Sequence, residues 1–204
     1  MKTKNLHFLF FILLAFNFNC KQQVTAKLSE YKYTEQKATI TCNPDTDALL
    51  KEAFYSFEND IIKAYDKTGK NKIKAYRTFI NFSIGNRVQF DKILSKHTKE
   101  VFDALKTYPN LWVDNHLNYN SELVSCLASK IADNNLKTTF NALVSTNSMS
   151  TKVFTPAIRA NSRYVNDPYL LTYIALDYFY AKMFQLDFTK INFETNTNST
   201  EKAK

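Results

Sequence analysis

Gly69 and Gly85 are the only glycines in this chain of 204 residues, and only four prolines accompany them. Sandwiches and barrels of β-strands reverse direction many times, and tight reversals draw on glycine for positive φ and on proline for a preset φ. A chain with so few of either is excluded from the all-β classes. The isolation of the two glycines also excludes a P-loop and a dinucleotide-binding fingerprint, both of which need several glycines close together. Helices remain, and the apolar residues recur at helical spacing.

Leu50, Phe54, Phe57, Ile61 and Tyr65 lie on one face of a first helix. Asp45 or Asp47 is expected to cap it, and Gly69 to end it. Ile73, Tyr76, Ile80 and Ile84 mark a second helix over about 71–84, broken at Gly85-Asn86. Phe90, Leu94, His97, Val101 and Leu105 predict one continuous third helix over 87–106, stopped at Tyr108-Pro109-Asn110. After an aromatic, asparagine-rich loop at 107–120, Ser121 caps a fourth helix to about 133. Leu136, Phe140, Leu143 and Val144 mark a fifth, and a short helix is expected at 153–163 with Pro156 in its first turn. The last helix, about 167–186, starts with Pro168 and is apolar on almost every side, which places it at the centre of the domain. Upstream, Ala38, Ile40 and Cys42 alternate with threonines, so a short strand or an extended arm is expected there. The prediction is an all-α fold, a compact bundle or short array of about six to seven helices, with no internal repeat.

The N-terminus carries a different signal. Lys2 and Lys4 precede a largely apolar run from Leu6 to Phe16, followed by Asn17-Phe18-Asn19-Cys20-Lys21. Eleven residues are too few for a bilayer core about 30 Å thick, which takes roughly 20. The segment therefore reads as an export signal. It resembles a bacterial lipoprotein signal of the Bacteroidetes type, with Asn17, Phe18 and Asn19 where the usual lipobox carries Leu and small residues. The resemblance covers residues 1–20 and implies that Cys20 is lipidated and becomes the first mature residue. It implies a cell-envelope protein attached to the outer membrane or to the periplasmic face of a membrane. The expected organisation is a signal peptide at 1–19, a lipidated cysteine with tether or extended arm at 20–44, an all-α domain at 45–188 and a polar, frayed tail at 189–204.

With Cys20 lipidated, Cys42 and Cys126 remain. In an oxidising compartment they can pair as a disulfide. Alternatively, Cys126 is a small buried hydrophobe on the fourth helix. The formal charge of +8 falls by two when Lys2 and Lys4 leave with the signal. The remaining lysines are scattered, which suits solubility and mild attraction to a membrane surface rather than nucleic acid.

Nothing local spells out a reaction. The mature chain holds only His97 and His116, neither with a metal ligand at helical spacing, and no HExxH occurs, so no metal and no cofactor are expected. His97 falls in the apolar stripe of the third helix and reads as a core histidine bonded to a neighbour. Ser125-Cys126 lacks the glycine of a nucleophile elbow, and the acids are dispersed. Two constellations have the residue types of a binding site. In the loop, Trp112, Asn115, His116 and Tyr119 can stack on a sugar or anchor a partner; the alternative is that Trp112 folds back to plug the core. Further on, Arg159 and Arg163, four apart on one expected helix face, stand near Tyr164, Asn166 and Asp167. They can grip a carboxylate or phosphate, or make an internal salt bridge to Asp167 or Asp177. The expected function is an exported, lipid-anchored binding or interaction protein of the envelope, with a glycan- or small-ligand-binding lipoprotein using the Trp112 loop as the alternative. An envelope-polymer hydrolase using His116 is the less favoured alternative.

Overall fold

The computed structural model describes residues 28–66, 68–69, 71–161 and 164–193. The export signal, Cys20, Arg163 and residues 194–204 lie outside the described residues. The fold is all-α. In chain order it comprises α1 (Asp47–Tyr65), α2 (Lys72–Ile84), α3 (Phe90–Ile93), α4 (Lys96–Lys106), a hairpin of β1 (Trp112–Val113) and β2 (His116–Leu117), α5 (Glu122–Lys130), α6 (Asn134–Ser145) and α7 (Thr151–Ala160). A 3-10 turn (Tyr164–Asn166) leads into α8 (Pro168–Ile174). That helix runs on through a π-helical segment (Ala175–Tyr180) into α9 (Ala181–Met183), and a second 3-10 turn (Phe188–Lys190) follows.

The composite last helix is central, as its all-round apolarity requires. Every residue from Leu170 to Ala181 is buried, including the charged Asp177. Its aromatic rings bridge the two halves of the bundle. Phe179 lies 5.1 Å from Phe57 of α1, 5.9 Å from Phe79 of α2 and 5.5 Å from Phe90 of α3, centroid to centroid. Tyr173 lies 4.9 Å from Phe140 of α6 and 5.8 Å from Phe154 of α7. Ring pairs at these separations add about 0.5–1.5 kcal/mol each beyond their buried area. Tyr173, Tyr178 and Tyr180 of this helix are buried with their hydroxyls engaged. Tyr180 donates to the Ala53 carbonyl at 3.0 Å, and Tyr178 meets Thr155 Oγ1 at 2.9 Å. Burial holds both phenols above their ordinary pKa.

The third expected helix is two helices. Leu94 adopts an extended conformation and Ser95 becomes the N-cap of α4, its hydroxyl accepting from Thr98 N at 3.1 Å. The break is filled from α1: Asp60 Oδ2 accepts from Ser95 N at 3.0 Å and from Thr98 Oγ1 at 2.6 Å. Neither Asp45 nor Asp47 caps α1. Thr46 holds the N-cap position, and Asp47 turns back to accept from the N–H groups of Cys42 and Asn43. Helix α7 starts at Thr151, which puts Pro156 in the helix interior rather than its first turn. It also ends at Ala160, short of Arg163.

No strand forms at Ala38–Cys42. Residues 28–46 are an extended arm laid along α1, with Leu28 and Ile40 buried. The arm is held by side chains of α1. Glu52, fully buried, accepts from Lys32 N at 2.6 Å and from Tyr33 N at 3.0 Å. Lys51 Nζ donates to the Thr34 carbonyl at 2.7 Å, and the Tyr55 hydroxyl to that of Lys37 at 2.9 Å. His97 closes the group from α4. Its Nε2–H donates to Glu52 Oε1 at 2.6 Å, since a carboxylate can only accept. The packed body therefore includes residues upstream of 45, from Leu28 on among the described residues. It also extends past 188, because Ile191 and Phe193 lie against the core.

Candidate functional site

The two sequence constellations meet different fates. Residues 111–118 fold into a hairpin whose turn residues Asp114 and Asn115 have φ of 48° and 63°. Positive φ at both central positions is what a two-residue hairpin turn requires, and Asp and Asn tolerate it. The turn exposes Asn115 and His116. Trp112 points the other way. Its ring meets Phe184 edge-on at 5.2 Å, and its Nε1–H donates to the Leu105 carbonyl at 2.8 Å. The indole closes the core beside α4 and does not stand beside His116 as a stacking platform. Tyr119 is also turned inward: its hydroxyl donates to Asp177 Oδ1 at 3.0 Å, while Tyr173 donates to Asp177 Oδ2 at 2.9 Å. Burial raises the Asp177 pKa, and these two hydroxyl donors oppose that rise.

In the second constellation the described residues are Arg159, Tyr164, Asn166 and Asp167. Arg163 lies outside the described residues, and Arg159, on α7, is exposed. Asp167 has another task. Oδ1 caps the last helix, accepting from Tyr169 N and Leu170 N, each at 3.1 Å, and Oδ2 accepts from Ala132 N at 2.7 Å. One carboxylate thus ties the α5–α6 turn to the start of α8. In that turn Asp133 caps α6, with Oδ1 accepting from Leu136 N at 2.9 Å.

These two caps frame a polar trough. A cavity of about 450 Å³ lies between the α5–α6 turn and the segment that joins α7 to α8. Its polar walls are Asp133, Asn134, Asn135, Asn161, Asn166 and Asp167, and Leu136, Leu170 and Tyr164 complete the lining with Ala132. A neighbouring cavity of about 370 Å³ shares Asp133, Asn135, Leu136 and Asn161 and extends between α6 and α7 to Thr139 and Ala157. Burial pushes the Tyr164 phenol up to about 12, so it stays protonated at neutral pH. The trough therefore offers carboxamides, fixed carboxylates and one phenol over a small apolar floor. Tyr164, Asn166 and Asp167 are legible in the sequence as a group. Asn134, Asn135 and Asn161 are not, because they arrive from two other segments.

Cys42 and Cys126 are joined by a disulfide with a Cα–Cα distance of 5.9 Å. It pins the end of the arm to α5, where Lys130 Nζ also donates to the Thr41 carbonyl at 2.6 Å. Among the described residues no group of three or more His, Cys, Asp or Glu is placed to hold a metal, and no helix is long and apolar enough to cross a membrane. No protein family, curated protein or solved structure matches the chain.

Proposed function

We propose that this protein is an exported, lipid-anchored binding protein of the bacterial cell envelope, whose role is to hold a ligand or partner rather than to catalyse a reaction. The trough carries this reading. It is concave, its polar groups converge from two segments distant in sequence, and its two carboxylates are fixed by backbone N–H bonds. Polar groups placed in a cavity of this size fix the orientation of a small ligand, and here they make up most of the wall, which suits a polar ligand. Export is supported by the signal-like segment ending at Cys20 and by the Cys42–Cys126 disulfide, since such bonds persist in oxidising compartments.

The hydrolase alternative has less support. The buried Asp177, whose charge interacts with His116, has both oxygens engaged by tyrosine hydroxyls. The Trp112 loop is also a weaker ligand site, because the indole N–H and ring are committed to the core.

Two experiments test the proposal. Palmitate labelling should mark the wild type and be lost in Cys20→Ala; equal labelling of both refutes the anchor. Immobilised protein should retain envelope material that Asn135→Trp, which fills the trough from an exposed position, does not. Equal retention by both proteins refutes the trough as the binding site.

A further inference from the structure

The chemistry of the trough selects among ligand classes. The chain as a whole is strongly basic, with a formal charge of +8, yet among the described residues no lysine or arginine lines this cavity. The formal charges among those lining residues are Asp133 and Asp167. A phosphate or carboxylate ligand would meet these two like charges in contact. A wholly apolar ligand would strip water from carboxamides and carboxylates without replacing the lost hydrogen bonds.

The walls suit a neutral ligand that both donates and accepts at close intervals. Each of Asn134, Asn135 and Asn166 carries a carbonyl oxygen and an NH₂ group, so each can accept from one ligand group and donate to its neighbour. The carboxylates are already oriented by backbone N–H groups; Asp167 Oδ1 is filled by the Tyr169 and Leu170 amides, whereas Asp167 Oδ2 and Asp133 Oδ1 each accept one such donor and keep lone-pair capacity for another. A sugar hydroxyl is a donor and an acceptor in one group, and a pyranose presents several in a row beside an apolar C–H face. Ala132, exposed at the rim, offers a small apolar surface to that face, with the buried Leu136 and Leu170 behind it. We infer that the trough is a saccharide site: it binds a neutral oligosaccharide through the carboxamides of Asn134, Asn135 and Asn166 and the carboxylates of Asp133 and Asp167, with Asn161 lining the wall beside them. The neighbouring cavity, continuous through Asn135 and Asn161, gives a second ring its place. This inference rests on the binding role proposed above and narrows it to a ligand class.

The test is an NMR titration of the isotope-labelled protein with maltotriose and with triacetylchitotriose, following the side-chain amide resonances of the four asparagines. Inorganic phosphate and trialanine serve as the comparison ligands. At least one trisaccharide should shift these resonances saturably and leave the Trp112 indole resonance in place. Asn135→Ala and Asn166→Ala, both at exposed positions, should each weaken binding about tenfold. The inference is overturned if neither trisaccharide produces a saturable shift, or if the shifts survive unchanged in both variants. Saturable shifts with phosphate or trialanine alone would overturn the saccharide class and leave the binding role standing. Unchanged envelope retention by Asn135→Trp would remove the binding role and the saccharide with it.

Discussion

Replacing Asp60 with asparagine (Asp60→Asn) should make the protein gain stability relative to wild type as the pH rises. Asp60 is 2 % exposed and sits at the end of a hydroxyl relay: Ser56 Oγ and Ser95 Oγ meet Thr98 Oγ1 at 2.6 and 2.8 Å, and Thr98 Oγ1 donates to the carboxylate. Burial raises its pKa from 3.8 to about 6, against the opposing pull of these donors. Between those two values the native state keeps a proton that the unfolded chain has released. Wild-type stability from this group is therefore full below about pH 4, falls as pH rises to about 6, and is flat above. A shift of that size corresponds to about 3 kcal/mol. The substituted carboxamide does not titrate, and its carbonyl oxygen can still accept from Ser95 N and Thr98 Oγ1. Urea unfolding of both proteins at pH 4 and pH 7 measures the effect, and taking the difference between them cancels every group they share. The variant should gain about 2 kcal/mol on wild type between the two pH values, less than the full shift because the unfolded carboxyl is already more than half ionised at pH 4. A difference that stays constant to within about 0.5 kcal/mol would refute the argument that burial dominates the carboxylate.

Three further outcomes are expected. Removing the disulfide with Cys42→Ser and Cys126→Ser together should lower stability by about 4.5 kcal/mol, the chain-entropy value for a sequence separation of 84, read by denaturant unfolding; a loss under about 1 kcal/mol would show that the unfolded chain is not what the bond restrains. Glu52→Gln replaces an acceptor oxygen with a donor facing Lys32 N, Tyr33 N and His97 Nε2, so hydrogen exchange at the Lys32 and Tyr33 amides should accelerate while the amides of α8 stay protected. Trp112→Ala should cost about 2–4 kcal/mol in thermal or urea unfolding, because the ring packs on Phe184 and its N–H is bonded; an unchanged stability would return the indole to the surface binding groups.

Much of the architecture is legible from residue spacing. The stripe Leu50, Phe54, Phe57 and Ile61 is buried on α1, and the helix that is apolar on all sides runs through the centre. The misreadings share a cause. Glu52, Ser56 and Asp60 form a second buried face on α1, yet each is a polar residue whose burial depends on partners 35 to 45 positions away around α4 and, for Glu52, about 20 away in the arm. The same Asp60 explains why the stripe through Phe90 and Leu94 is two helices: a carboxylate from another element satisfies the N–H group exposed by the break. Trp112 in its loop is consistent by sequence with a platform or a plug, and Phe184, packed against the ring, decides for the plug.

The division follows from the range of the forces. Helical period, capping residues and scarcity of glycine act within a few residues, so the sequence by itself determined the helical class, most helix positions and the address suggested by the residues before Cys20. Which polar groups are buried, and which converge, depends on partners distant along the chain. Only the tertiary structure could bring the asparagines of α6 and of the α7–α8 segment around one cavity, and it did so through a single carboxylate, Asp167, which caps one helix while accepting from the turn before another.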